Sequence, residues 1–143
     1  MALESLPRLV KRFGFLQRFK AALDRRIRCW PRTAENDPYR EGVQELAGRI
    51  VAQTGCEVIS GYLEFCAPDI GACIDAALAR GADRVIVATT MTTRGGGHSE
   101  VEIREIVEAA QMRHPSTRIV YVWPFDTDRV ARMFADEIAR FSP

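Results

Sequence analysis

Apolar residues recur along the chain at two spacings, and the alternation between them outlines the fold. Leu9, Phe13, Leu16, Leu23 and Ile27 follow helical spacing with basic residues between them, which predicts a helix over about residues 4–28. A polar loop, Cys29 to Asp37, comes next. Asp37 suits a helix N-cap and Pro38 the first helical position. Val43, Leu46, Ala47, Ile50 and Val51 form the apolar stripe of that second helix, and Gly55 is its expected stop. Strand-like runs then alternate with helical stripes. Val58–Phe65 reads as a strand. Ile70, Cys73, Ile74, Ala77 and Leu78 read as a helix, with Pro68 near its start and Gly81 past its end. Val85–Thr90 is an unbroken apolar run, as expected of a strand covered on both faces. Ser99-x-x-Glu102 matches a capping box for a helix from about Glu100 to Arg113. Ile119–Trp123 reads as another buried strand, and Val130, Met133, Phe134 and Ile138 mark a last helix.

Strand–helix alternation at this spacing predicts an α/β fold: a three-layer parallel sheet with right-handed crossovers and helices on both faces, plus an extra N-terminal helix. The expected division is a basic amphipathic helix and loop over 1–37 and an α/β domain over 38–143. In open parallel sheets, ligands gather beyond the carboxyl ends of the strands. Three segments meet that description: the strand end Leu63–Pro68, the loop Thr89–His98, and the strand end Trp123–Asp126. A site there can draw on Glu64, Arg94, His98 and Asp126.

The middle loop carries the most chemistry. Gly95, Gly96 and Gly97 free the backbone, and Arg94 and His98 flank them. Two uses compete. The glycines and a helix N-terminus can cradle a phosphate or carboxylate, although neither the Walker A pattern nor G-x-G-x-x-G is present. Alternatively, His98 can serve as metal ligand or proton acceptor, since imidazole titrates near neutrality. His114, after a helix, reads as structural. Glu64, ending an apolar run, needs a partner or solvent.

Composition changes this picture in three places. At 143 residues, with 47% hydrophobic and 27% charged, the chain fits one globular domain. No run nears a membrane span and no signal-peptide pattern opens it, so a cytoplasmic protein with no membrane partner is expected. A net charge of +1 gives no general pull toward nucleic acid, and none is expected as a partner. The charge is lopsided: residues 1–32 hold nine Lys/Arg against two acids, +7, and the remainder is −6. The basic arm can meet an anionic ligand or remain a solvated helix face. Cys29, Cys56, Cys66 and Cys73 show no metal-binding spacing and read as reduced, mostly buried thiols.

Three stretches together resemble the CbiX-type, short class II, sirohydrochlorin chelatases. They are Gly61-Tyr62-Leu63-Glu64-Phe65-Cys66-Ala67-Pro68-Asp69-Ile70, Gly81-Ala82-Asp83-Arg84-Val85-Ile86-Val87, and Gly97-His98 followed by Glu102-Ile103. They correspond to the family's Leu-Glu-Phe-x-x-Pro strand end, Gly-Ala strand lead-in and Gly-x-His loop, over about residues 38–140. The resemblance implies a chelatase-like, flavodoxin-like fold and insertion of a divalent metal, cobalt or iron, into sirohydrochlorin for cobalamin or sirohaem synthesis. It implies His98 as metal ligand and base, with Glu64 as its catalytic and metal-binding companion. Arg94 and Gly95–Gly97 would meet the anionic tetrapyrrole, the metal being a substrate and no organic cofactor being needed. The short members resemble homodimers, which implies the same here. The family's opening strand, ending in His-Gly-Ser, has no counterpart: residues 1–37 contain no histidine. An upstream segment, a diverged site or a partner chain are the three ways that strand can be accounted for. The alternative functions are a tetrapyrrole- or metal-binding protein without catalysis, and an anion-binding α/β domain using Gly95–Gly97.

Overall fold

The computed structural model describes residues 14–64 and 66–142. The chain forms two compact units, Met1–Asp69 and Ile70–Pro143. It is helix-rich α/β, with one small parallel sheet of two strands among the described residues. No helix among those residues is long and apolar enough to cross a membrane.

The first unit holds α1, Gly14–Arg28, and α2, Pro38–Thr54. Residues 4–13 of the predicted first helix lie outside the described residues. The predicted boundaries of α2 are met by their expected chemistry. Asp37 accepts from the Arg40 N–H at 3.0 Å, Pro38 opens the helix, and Gly55 closes it in the left-handed region, its N–H bonded to the Val51 carbonyl. Arg32 holds the capping Asp37 at 3.3 Å, and Thr33 and Asn36 exchange bonds across the loop between the helices. The stripe of α2 is not buried: Leu46, Ile50 and Val51 are all exposed.

Over 58–64, the described part of the expected strand Val58–Phe65, no extended strand is formed. Among the described residues of this segment, only Tyr62 makes a bridge, to Asp69. The reason is local. The Tyr62 N–H is bonded to the Pro68 carbonyl and the Cys66 N–H to the Glu64 carbonyl, so these two donors are taken up by near neighbours in the chain. The thiols also differ from expectation: Cys73 is buried, Cys66 half-buried, and Cys29 and Cys56 exposed; none of the four is in a disulfide.

The second unit runs α3 (Ile70–Ala79), β1 (Arg84–Val87), a π-helical turn (His98–Glu102), α4 (Ile103–Arg113), β2 (Arg118–Tyr121) and α5 (Thr127–Ala139). β1 and β2 are parallel, Val85 opposite Ile119 and Val87 opposite Tyr121, with α4 as the crossover. Gly81, at φ 89°, ends the α3 region as its spacing predicts. Ile74, Ile103, Val107, Ala110, Ile119 and Trp123 are buried, and α3 and α4 pack on each other and on the sheet. Fully burying a side chain such as Ile74 contributes roughly 1.5–3 kcal/mol.

Both faces of Val85–Thr90 were expected to be covered, and the structure differs. Val85 and Val87 are partly covered, while Ile86, pointing the opposite way, is 53% exposed. Strand pairing is also shorter than the apolar runs, because it stops where β1 and β2 diverge into the loops that follow. Gln111 seats β2: its amide donates to the His114 and Thr117 carbonyls and its oxygen accepts the Ile119 N–H at 2.9 Å. Arg113 and His114 both reach Asp75 on α3, at 3.3 and 3.2 Å, in keeping with a structural role for His114.

Candidate active site

β1 runs out at Val87, and the chain continues over the carboxyl end of the sheet as Ala88 to Gly97. The Thr89 hydroxyl oxygen accepts the Met91 N–H as the chain turns. Gly95 has φ 94°, a conformation other residues adopt only with strain. Gly97 is ordinary helical backbone at φ −56°, ψ −39°. The special backbone freedom expected of three glycines is therefore needed at Gly95.

The helix opens differently from a capping box. Ser99 is fully buried and its hydroxyl donates back to the Gly96 carbonyl at 3.3 Å. Its own carbonyl accepts the Tyr121 hydroxyl at 3.0 Å, which ties the turn to β2. Glu102 does not reach back to the Ser99 backbone. It is bonded instead to His98, Nδ1 to Oε1 at 2.9 Å. The turn is π-helical, with the Ile103 N–H bonded to the His98 carbonyl; such bulges are frequent at functional sites.

His98 and Glu102 are both about half exposed. The bond to Glu102 selects the tautomer with hydrogen on Nδ1. It leaves the Nε2 lone pair available, the arrangement that metal-binding histidines use. Glu102 was not singled out from the sequence as a site residue. The signal was present, since His98 and Glu102 stand four apart on one helical face.

A second carboxylate fills the loop. Glu100 accepts the Gly95 N–H at 3.2 Å. Its carboxyl is held below the usual range, first by the Trp123 indole, next by the Gly95 N–H, and further by Arg104 and Arg94, against the opposing pull of burial. The Trp123 Nε1 is buried and completes no hydrogen bond, so its effect on Glu100 is that of a nearby dipole. Tyr121, stacked on Trp123 at 6.3 Å, has its phenol pushed up by burial. Glu100, Tyr121 and Trp123 are the other members of this region that sequence reasoning missed. Tyr121 and Trp123 could have been read from their alternation at the end of a strand.

The remaining expected residues divide. Arg94 is exposed beside Gly95–Gly97, and a side chain at Gly95 or Gly97 would meet open space. Glu64 belongs to the first unit, exposed in the turn that replaces the expected strand. Asp126 is engaged elsewhere as the N-cap of α5, accepting the Arg129 N–H at 2.9 Å. An external anion at the glycine loop would compete with Glu100 for the Gly95 N–H, which disfavours simple anion binding there.

Residues 34–140 match the model of the CbiX family. The chain belongs to the CbiX family. This membership brings an association with metal chelatase activity in tetrapyrrole biosynthesis, with a divalent metal as substrate. Neither the curated proteins nor the solved structures contain a match to the chain. Within the CbiX match fall Glu64, Arg94, His98 and Glu102, whereas α1 lies before it.

Proposed function

We propose that this CbiX protein inserts a divalent metal, cobalt or iron, into sirohydrochlorin, with His98 as metal ligand and base. The observation that carries this reading is the His98–Glu102 bond at 2.9 Å on a half-exposed helical turn. Glu102 orients the imidazole, and Nε2 is left to hold the incoming cation. Insertion exchanges one divalent cation for two pyrrole protons, so the reaction needs acceptors on the protein or in solvent. His98 takes one proton as it releases the metal. Glu64 is the second acceptor and metal-binding companion in this proposal. Arg94 pairs with the carboxylates of the anionic tetrapyrrole. Gly95–Gly97, with open space around Gly95 and Gly97, let the flat macrocycle approach the backbone.

The fold reading extends with the function. Residues 38–143 form the three-layer chelatase-like domain in this proposal, residues 1–37 are an appended basic helix and loop, and a homodimer supplies the second wall of the substrate cleft. The reaction is placed in the cytoplasm.

Mixing the protein with sirohydrochlorin and cobalt, and following the tetrapyrrole absorbance, tests the reading. Catalytic turnover that His98→Ala abolishes is the expected result. Turnover unaffected by His98→Ala would overturn the role of His98. A spectral change that saturates at one tetrapyrrole per chain would replace catalysis by binding. The chain has two histidines and His114 is engaged with Asp75, so His98 is the imidazole that this binding reading must also use.

A further inference from the structure

The α1 helix stands outside the CbiX match and outside the proposed chemistry. Its apolar side chains remain uncovered: Phe19 is 57% exposed, Leu23 41%, Ile27 44%, and Trp30 just beyond it 51%. With Leu16 they are spaced three or four apart, so they form one stripe along the helix. Around that stripe the helix is basic. Gly14–Arg28 holds Arg18, Lys20, Arg25, Arg26 and Arg28 against the one acid Asp24, which is itself paired with Lys20. On a helical projection Lys20 and Arg26 border the stripe on opposite sides, and Arg18, Arg25 and Arg28 occupy the far face. Arg26 also lies over the Trp30 ring at 5.8 Å.

We infer that α1 is an interfacial helix that docks this protein on an anionic lipid surface. Strong amphipathicity, cations bordering an apolar stripe, and an aromatic at one end are the features of helices that lie in the headgroup plane. Lysine and arginine beside the stripe can keep their charges among the headgroups while their stems follow the apolar side chains inward. An acidic protein surface is the less suited occupant. It would match cations along one border of the stripe, whereas here Lys20 and Arg26 border it on both sides. The expectation of no membrane partner rested on the lack of a spanning segment, and a helix lying on the surface needs none.

The test is partition of the full chain onto phosphatidylcholine vesicles with and without phosphatidylserine, read by cosedimentation and by Trp30 emission. Trp123 is buried and provides a constant background. Binding to the phosphatidylserine vesicles with a blue shift is expected, with little binding to phosphatidylcholine alone and weakening as salt is raised. The double variant Lys20→Glu/Arg26→Glu, at the two borders of the stripe, should lower partition at least about twenty-fold, from about five-fold per charge near an anionic surface. Phe19→Ser/Leu23→Ser should lower it and remove the blue shift; if that variant does not fold, the charge variant decides. No partition onto phosphatidylserine vesicles overturns the inference. So does partition that ignores Phe19 and Leu23, or self-association of the chain that Phe19→Ser/Leu23→Ser dissolves, since a second copy would then be the occupant.

Discussion

Removing the carboxylate beside His98 separates a site interaction from a stabilising one. In the folded chain Glu102 makes one bond to His98, at 2.9 Å, between side chains about half exposed to water. An exposed pair four apart on a helix is worth only ~0.3–0.5 kcal/mol to stability. Glu102→Ala should therefore leave the unfolding transition almost unmoved. Its effect on metal handling is of another size. Without Glu102 the His98 ring can rotate and exchange tautomers, and losing such a partner typically lowers metal affinity or activity by about 10–100-fold. The assay is paired: urea unfolding by circular dichroism, and cobalt insertion into sirohydrochlorin by absorbance. Cobalt affinity from calorimetry adds a readout that does not need turnover. Glu102→Gln retains an acceptor oxygen for Nδ1–H and should fall between wild type and Glu102→Ala. Insertion and cobalt affinity both unchanged in Glu102→Ala would refute the idea that this carboxylate orients His98. A destabilisation of several kcal/mol with activity lost in proportion would assign Glu102 to the fold instead.

Other consequences follow from the same loop. Gly95→Ala forces a side chain into φ 94° and should cost about 1 kcal/mol or more, whereas Gly97→Ala, already helical, should be neutral or slightly stabilising in denaturant titration. Tyr121→Phe removes the 3.0 Å bond to the Ser99 carbonyl and should cost roughly 0.5–1.5 kcal/mol; an unchanged denaturation midpoint would mean the bond anchors nothing. The two shifted groups give opposite pH limbs. The Glu100 carboxyl lies below its ordinary 4.5, so its contribution is present above that pH and is lost as pH falls through the lower folded value; Glu100→Gln should flatten the acid limb of the stability curve. The Tyr121 phenol lies above its ordinary 10.0, so its contribution is present below pH 10 and is lost as pH rises through the higher folded value; Tyr121→Phe should flatten the alkaline limb.

The one-dimensional pattern determined what depends on near neighbours in the chain. Asp37 and Pro38 start α2 and Gly55 and Gly81 stop helices, because capping and left-handed backbone are settled within a few residues. The βαβ arrangement of β1, α4 and β2 was also legible, since a buried strand and a helix differ in period. So were the CbiX resemblance and the loop ending at His98. Pairing and competition for partners were decided only in three dimensions. Val58–Phe65 has the residues of a strand, yet among its described residues only Tyr62 makes a bridge, its N–H bonded to Pro68, because a strand needs a ladder partner that near neighbours in the chain do not specify. Ser99 and Glu102 have the spacing of a capping box, yet burial against β2 turns Ser99 toward Gly96 and Tyr121, and Glu102 is left to His98. Asp126, at a strand end like the others, is used as a helix cap. The sequence named His98, and the tertiary structure supplied the carboxylate that orients it.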